Sequence, residues 1–455
     1  MIIRHESVKS KNKFTRQTRI KPMNTQNSTV SKNYPVIFFY LLILTVLMMP
    51  AKSEAMPAFA RTYNLSCVAC HAAFPRLNEF GEQFVSDNYR LPNWKDSTVE
   101  TGDDMLALPD SVPLALRTQA FVQAREAETI DITNGNTISA DTDFQSPYLI
   151  KLLSSAPLSD HISYYFYAIF AEKGDNGSVI VEDAWFSHDD VFGTEISLML
   201  GQFQVSDLMF PRETRLTFQD FMVYRMAGLT YDRGTIFGYT ADHVDLSLGL
   251  VNGNGISENH TINSPGFKRS DHLFDNDSNK AVFGRIGGDI AGINLGLFGY
   301  SGSQKNATGI AGTDSGDRDT DKISYGVDLS GKFGYKTYWF AQFLQNDWDE
   351  FINTDKKYSW FGSFIGVDYI HSDRWAYSLL YNYADANDLE NTDTVYEGID
   401  INALTFSASY YFMRNVKGVI EVNLDLLDTV DKTGTYWTGH LSGENYALIG
   451  FDAAF

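Results

Sequence analysis

Two cysteines in 455 residues leave no room for a disulfide framework. Those two, Cys67 and Cys70, lie three apart and directly ahead of His71, so they serve one local purpose. Long apolar runs are also missing. The one extended run, 36–49, has 14 residues, short of the roughly 20 a spanning helix needs, and a bundle of transmembrane helices is excluded. Basic residues are the minority, 36 Lys and Arg against 57 Asp and Glu, for a formal net charge of −21. A surface of that sign repels nucleic acid and attracts cations. No serine-triad, P-loop or dinucleotide signature supports a conventional enzyme. What the chain does have is aromatic residues, 14% of the total, and these need a structural home.

The first 55 residues read as a targeting segment. Eight Lys and Arg between residues 4 and 32 face one acid, Glu6, and the apolar run follows. Ser53-Glu54-Ala55 fits a small-x-small cleavage site, with Ala58-Phe59-Ala60 as a second choice. An uncleaved membrane anchor is the alternative. Residues 1–55 hold nine Lys and Arg against two Glu, so their removal takes the net charge from −21 to −28.

Residues 56–110 hold the sequence Cys67-Val68-Ala69-Cys70-His71, a C-x-x-C-H haem-attachment pattern. Two thiols at this spacing each reach one vinyl group of a single porphyrin, and the adjacent imidazole becomes the proximal iron ligand. Two other chemistries use the same residue types. A thiol–disulfide centre expects a βαβ setting, which the flanks do not show. A zinc site needs four ligands, and only Cys67, Cys70 and His71 are at hand. The expectation is therefore one covalent haem c, with His71 on the iron. Met105 is the only Met or His between residues 72 and 160. It is the distal-ligand candidate, or else an ordinary linker residue. Pro75 suits a first helical turn, and Leu77, Phe80 and Phe84 would then form one apolar stripe, packed on the haem or on a barrel wall.

From residue 111 to 455 the pattern changes to short alternating runs. Val244, Leu246, Leu248 and Leu250 share one face, and Asp245, Ser247 and Gly249 the other. The same alternation recurs at 323–329, 404–412 and 420–426. About sixteen strands are predicted, starting near 112, 146, 162, 179, 194, 229, 243, 281, 293, 322, 336, 358, 374, 398, 415 and 444. Connections after odd-numbered strands are mostly long, and those after even-numbered strands mostly tight. That asymmetry, more than the alternation, separates a transmembrane antiparallel β-barrel from a soluble sandwich. Asp245, Asp328, Glu421, Asp425 and Asp452 fall on the inward face and predict an acidic lumen. The segment 207–220 is not strand-like; it is either a lumen constriction or a surface loop. The last strand ends in Phe455, like the assembly signal of bacterial outer-membrane proteins.

A leader, one haem segment and a barrel, in that order, resemble the fused monohaem cytochrome–porins of the outer membrane, best known as the iron(II) oxidases of iron-oxidising bacteria. The match rests on Phe59-Ala60-Arg61, Cys67-x-x-Cys70-His71, Phe74-Pro75-x-Leu77 and Phe80-Gly81-x-x-Phe84. Gly201-Gln202-Phe203 also resembles the phosphate- and anion-selective porins. The chain departs from the iron oxidases at Asn78-Glu79 and at 88–92. The resemblance implies electron transfer, with possible Fe(II) oxidase activity, from extracellular Fe(II) or another redox donor through the haem to a periplasmic cytochrome. The barrel would sit in outer-membrane lipid. A passive porin with a structural or sensory haem, or electron export to an external acceptor, are the alternatives. Acidic loops at Asp314, Asp317, Asp319 and Asp321, at Asp347, Asp349 and Glu350, and at Asp385, Asp388, Glu390 and Asp393 are candidate Fe(II) collectors or simply a solvated rim.

Overall fold

The computed structural model describes residues 58–91, 103, 106, 113–130, 137–172, 175–241, 243–253, 278–305, 319–390, 400–427 and 445–455. The targeting segment, Met105, Asp314, Asp317 and Asp393 lie outside these residues. The N-terminal segment contains helix α1 (Ala58–Thr62), the helical turn α2 (Cys67–Cys70), a ribbon of β1 (His71–Ala73) and β2 (Arg76–Leu77), and helix α3 (Glu79–Ser86). Sixteen strands follow, from β3 (Leu114–Ile130) to β18 (Asn445–Ala454). Each pairs antiparallel with its chain neighbours, and β18 pairs β3 to close a barrel.

The outer face is apolar. On β9 (Val244–Val251), Val244, Leu246, Leu248 and Leu250 are all exposed. On β17 (Val416–Asp425), Ile420, Val422 and Leu424 point outward, while Glu421 and Asn423 are fully buried inward. Leaving one such side chain in water rather than buried costs about 1.5–3 kcal/mol. A belt of them around a closed barrel therefore belongs in hydrocarbon. Phe333, Tyr335, Trp375, Phe412 and Phe451 are exposed around one rim, forming an interfacial girdle that accounts for part of the aromatic excess.

That rim also carries the tight turns 291–292, 334–336, 373–374 and 414–415, together with Phe455. The two-residue turn Ala291-Gly292 has positive φ at both positions, 57° and 83°, the geometry that suits a right-twisted hairpin. The opposite rim carries the long connections.

The strand positions agree with the sequence reading, with one main exception. β4 (Thr137–Pro157) begins nine residues earlier than expected, so the 124–145 connection shrinks to 131–136. Pro147 breaks the alternation there, but the sheet absorbs it. Gln119 pairs Leu149 and Phe121 pairs Gln145, with a bulge between them.

The segment after β7 (Ile196–Gln204) folds into the lumen, which resolves the open question about 207–220. It carries a short helix, α4 (Met222–Met226), in which Met222, Val223, Tyr224 and Met226 are fully buried. Glu421 accepts from the backbone of Phe218 (2.6 Å) and Gln219 (2.8 Å). Asn382 accepts from Met222 N (3.2 Å) and donates to Asp220 O (3.2 Å). Phe221 stacks on Phe364 with ring centroids 4.3 Å apart. The wall thus satisfies the loop's main-chain groups, as a buried loop requires.

Candidate functional site at the short-turn mouth

The α2 turn puts Cys67 and Cys70 one helical turn apart, both partly exposed and neither in a disulfide. His71 follows at once and starts β1, where it pairs across the ribbon with Leu77. Its Nδ1 lies 3.0 Å from the carbonyl oxygen of Pro75. A carbonyl only accepts, so Nδ1 carries the proton and Nε2 keeps its lone pair. Burial pushes the imidazole pKa down, against the pull of the Pro75 and Arg76 backbone, which favours the neutral ring that binds iron. Burial raises both thiols. In Cys67 its own backbone bond and Arg414 oppose this, and in Cys70 the neighbouring Cys67 adds to it. Raised thiols do not suit a disulfide-exchange centre, which depends on a depressed pKa.

Asn78 locks this geometry. Its side chain accepts from Gly81 N (2.9 Å) to cap α3, and donates to the carbonyls of Val68 (3.2 Å) and Ala69 (3.0 Å). Gly81 lies directly against Cys70, and a Cβ there would collide with the Cys70 carbonyl. The expected Leu77–Phe80–Phe84 stripe does not form. Because Asn78 is the cap, the helix starts at Glu79 and Pro75 falls in the β1–β2 turn. Phe84 is buried against Phe59 (5.3 Å) and Tyr63 (5.4 Å), whereas Phe80 is 45% exposed.

The segment is seated in the barrel mouth on the short-turn rim. Arg76 reaches Asp368 (3.3 Å) and lies over the rings of Tyr338 (5.0 Å) and Phe340 (5.5 Å). The Phe74 carbonyl accepts from Tyr411 Oη (2.7 Å) and Lys417 Nζ (3.3 Å), and its ring sits under Arg117 (5.4 Å). Asn88 bonds Ser163 (2.7 Å), the His161 carbonyl (3.2 Å) and Ser187. Arg90 pairs with Asp189 (3.1 Å). Beside the motif is a cleft lined by Cys67, Val68, His71 and Phe74 on one side and by Ser372, Asp373, Tyr411 and Arg414 of the rim on the other. The cleft lining contains neither Met nor a second His.

The donor set therefore fits a c-type haem: two thiols one turn apart, a neutral imidazole with Nε2 available, and a backbone carbonyl fixing its tautomer. The acidic loops named as candidate Fe(II) collectors show no comparable donor set in their described residues. Among the described residues no group of three or more His, Cys, Asp or Glu forms a metal-holding cluster. Asp347 is taken up by Ser359 (2.7 Å) and Lys357 (3.0 Å), and Asp388 by Ser359 N (3.0 Å). Asp319, Asp321, Asp349 and Glu390 are exposed.

The lumen is not simply acidic, contrary to expectation. Asp328 is paired with Arg285 (2.6 Å), and Asp452 with Arg117 (2.8 Å) and Lys417 (3.7 Å). Asp245 is exposed and accepts from Thr240 (2.9 Å). Period-two alternation identifies the inward face but not the cross-strand partners of its charges. Asn78, Arg76 and Tyr411 were missed as positioning residues. Only Asn78 left a trace, as an N-cap residue ahead of the acidic first turn Glu79–Glu82.

No family model matches the chain, and no curated protein matches it in sequence. Solved structures match the barrel. The outer-membrane channel DcaP of Acinetobacter baumannii is 12% identical with a TM-score of 0.52, over 76% of this chain and 97% of that one. OmpT of Vibrio cholerae in its trimer form is 12% identical at 0.49, over 76% and 99%. An anion-selective porin from Comamonas acidovorans is 14% identical at 0.47, over 76% and 99%. At 12% identity the likeness to DcaP concerns the fold alone, and it agrees with the closed 16-strand antiparallel barrel seen here.

Proposed function

We propose that this chain is an outer-membrane electron-transfer barrel, delivered by its 1–55 leader, that carries one covalent haem c and takes electrons from extracellular Fe(II) to a periplasmic cytochrome. The observation that carries this reading is His71. It follows two suitably spaced thiols, its Nδ1 is committed to Pro75, and the whole unit is seated in a barrel mouth. When bound, the haem supplies a one-electron ferric/ferrous couple. Cys67 and Cys70 would hold it as thioethers and His71 would ligate the iron. Pro75 keeps the ring in the right tautomer. Arg76, Asn88 and Arg90 fix the segment to the wall. The short-turn rim of such barrels faces the periplasm, so the site lies next to the acceptor, and the donor must approach through the lumen. The lumen loop and the seated segment narrow that route, so a small aqueous ion such as Fe²⁺ is a donor that suits it.

The test is anaerobic stopped-flow absorbance of the oxidised, haem-loaded protein in detergent mixed with Fe²⁺. The expected result is a fast c-type reduced spectrum that is lost in His71→Ala. A haem that dithionite reduces and Fe²⁺ does not would refute iron as the donor.

A further inference from the structure

The thiols, the imidazole and an arginine of the barrel rim share one cleft. Cys67, His71 and Phe74 stand on one side, and Asp373, Tyr411 and Arg414 on the other. A haem held by Cys67, Cys70 and His71 brings two propionate carboxylates, which are anions at neutral pH. The segment has no cation set aside for them. Residues 58–91 contain no Lys and three Arg, against Glu79, Glu82 and Asp87. All three arginines reach the barrel: Arg61 the Leu114 carbonyl, Arg76 the Asp368 carboxylate (3.3 Å) and Arg90 that of Asp189 (3.1 Å). On the wall beside Phe74, Arg117 and Lys417 are paired with Asp452 (2.8 and 3.7 Å).

Arg414 is placed differently. It sits in the 414–415 turn between β16 (Ile401–Met413) and β17. Among the described residues lining the cleft, it is the one basic side chain besides His71. Its charge acts on Cys67, where it favours the thiolate. Its Nη1 donates to the Asp373 carbonyl (3.2 Å) and its Nη2 to the Asp373 carboxylate (3.0 Å). Arg414 is 43% exposed and Asp373 86%, so water screens this pair and it holds weakly. The guanidinium keeps further N–H donors beyond these two bonds, and its planar fork matches a carboxylate.

We propose that Arg414, a residue of the barrel, binds a haem propionate across this cleft and thereby raises the reduction potential of the cofactor. The inference rests on the haem reading given above and adds a residue to it. Ferric haem carries one more positive charge than ferrous haem, so a fixed cation beside it disfavours the ferric state. The barrel then tunes the cofactor that the N-terminal segment carries.

The experiment is spectroelectrochemical titration of the full-length, haem-loaded protein in detergent, with resonance Raman spectra of the same samples. Arg414→Gln should lower the ferrous-to-ferric ratio at the wild-type midpoint roughly threefold, as for one charge partly screened by water. That is a fall of about 30 mV, at ~59 mV per tenfold for one electron. The propionate bending band, which follows hydrogen bonding to that carboxylate, should shift to lower frequency, and Arg414→Lys should lie between. Asp373→Asn frees Arg414 from its rim partner and should move midpoint and band upward. If Arg414→Gln does not fold or load, Asp373→Asn decides alone. A midpoint that moves without the band reduces Arg414 to a distant charge and overturns the proposal, as does no movement of either, and both results leave the haem reading standing. Wild-type protein that shows no covalent haem by in-gel stain overturns the haem reading and this proposal together.

Discussion

Replacing Arg76 with Ala should unseat the N-terminal segment and raise the barrel's conductance. The size of the effect follows from what the guanidinium touches. Asp368 is 1% exposed and Arg76 15%, so the pair is largely out of water. Removing one member of a buried pair costs about 3–5 kcal/mol. The lower end applies here, because Asp368 keeps a 2.6 Å bond from Ser378 Oγ. The two ring contacts add roughly 0.5–1 kcal/mol each when present, but part of that returns when water fills the space. A net loss of about 3 kcal/mol shifts a seated–unseated equilibrium by about two orders of magnitude. The assay is single-channel conductance in planar bilayers, with a deletion of residues 58–91 as the fully open reference. The wild type should conduct weakly, Arg76→Ala should visit a larger open level far more often, and the deletion should hold that level steadily. A deletion that stays closed would refute the reasoning, since the lumen loop alone would then seal the barrel. A conducting deletion beside a wild-type-like Arg76→Ala would show that the seat rests on Asn88 and Arg90 instead.

The other expectations concern the motif and the lumen loop. Gly81→Ala forces a methyl group into the Cys70 carbonyl. It should cost about 1–3 kcal/mol and lower the covalent haem per protein, read by in-gel haem stain. Glu421→Gln keeps one acceptor for the Phe218 and Gln219 amides. It should loosen the loop by about 1–2 kcal/mol, seen as faster amide exchange across 216–226 with the barrel's exchange unchanged. Burial raises the Asp207 carboxyl to about 7, against the pull of Arg212. Because the folded state holds this proton longer than the unfolded one, stability from the group falls as pH rises from about 4 to 7 and is level above. Asp207→Asn should flatten that part of the profile in denaturant midpoints; an unchanged slope would place the titration elsewhere. Replacing both Cys67 and Cys70 with Ala should abolish covalent haem while leaving the barrel folded by far-UV circular dichroism.

Much of the architecture was legible because a barrel wall repeats one rule. Each strand alternates between lipid and lumen, so Leu246 and Leu248 declare their side without knowledge of their neighbours. The tight turns are local too, since Ala291-Gly292 needs only its own backbone. Legibility failed where partners far apart in sequence decide the outcome. Pro147 looks like a strand end, and only the partner strand shows that a bulge absorbs it. Asp328 and Asp452 looked like members of an acidic channel, and only the closed barrel brings Arg285 and Arg117 to them. The C-x-x-C-H pattern was readable as a five-residue string, but its seat was not. Arg76 meets a strand almost 300 residues away, and no local spacing encodes that meeting.

The contact between Phe74 and Arg117 bears on how the barrel is held closed. Arg117 lies on the first barrel strand and its partner Asp452 on the last, so their bond crosses the seam where the sheet closes. The Phe74 ring covers that bond from inside, and Lys417 ties the Phe74 carbonyl to the neighbouring strand. The closing bond of the barrel and the seat of the N-terminal segment therefore share one set of contacts. Loosening the segment at Phe74 would open the Arg117–Asp452 pair to water from inside the barrel. A single ring thus serves both the wall and the segment seated in its mouth, and a change there would be felt at both.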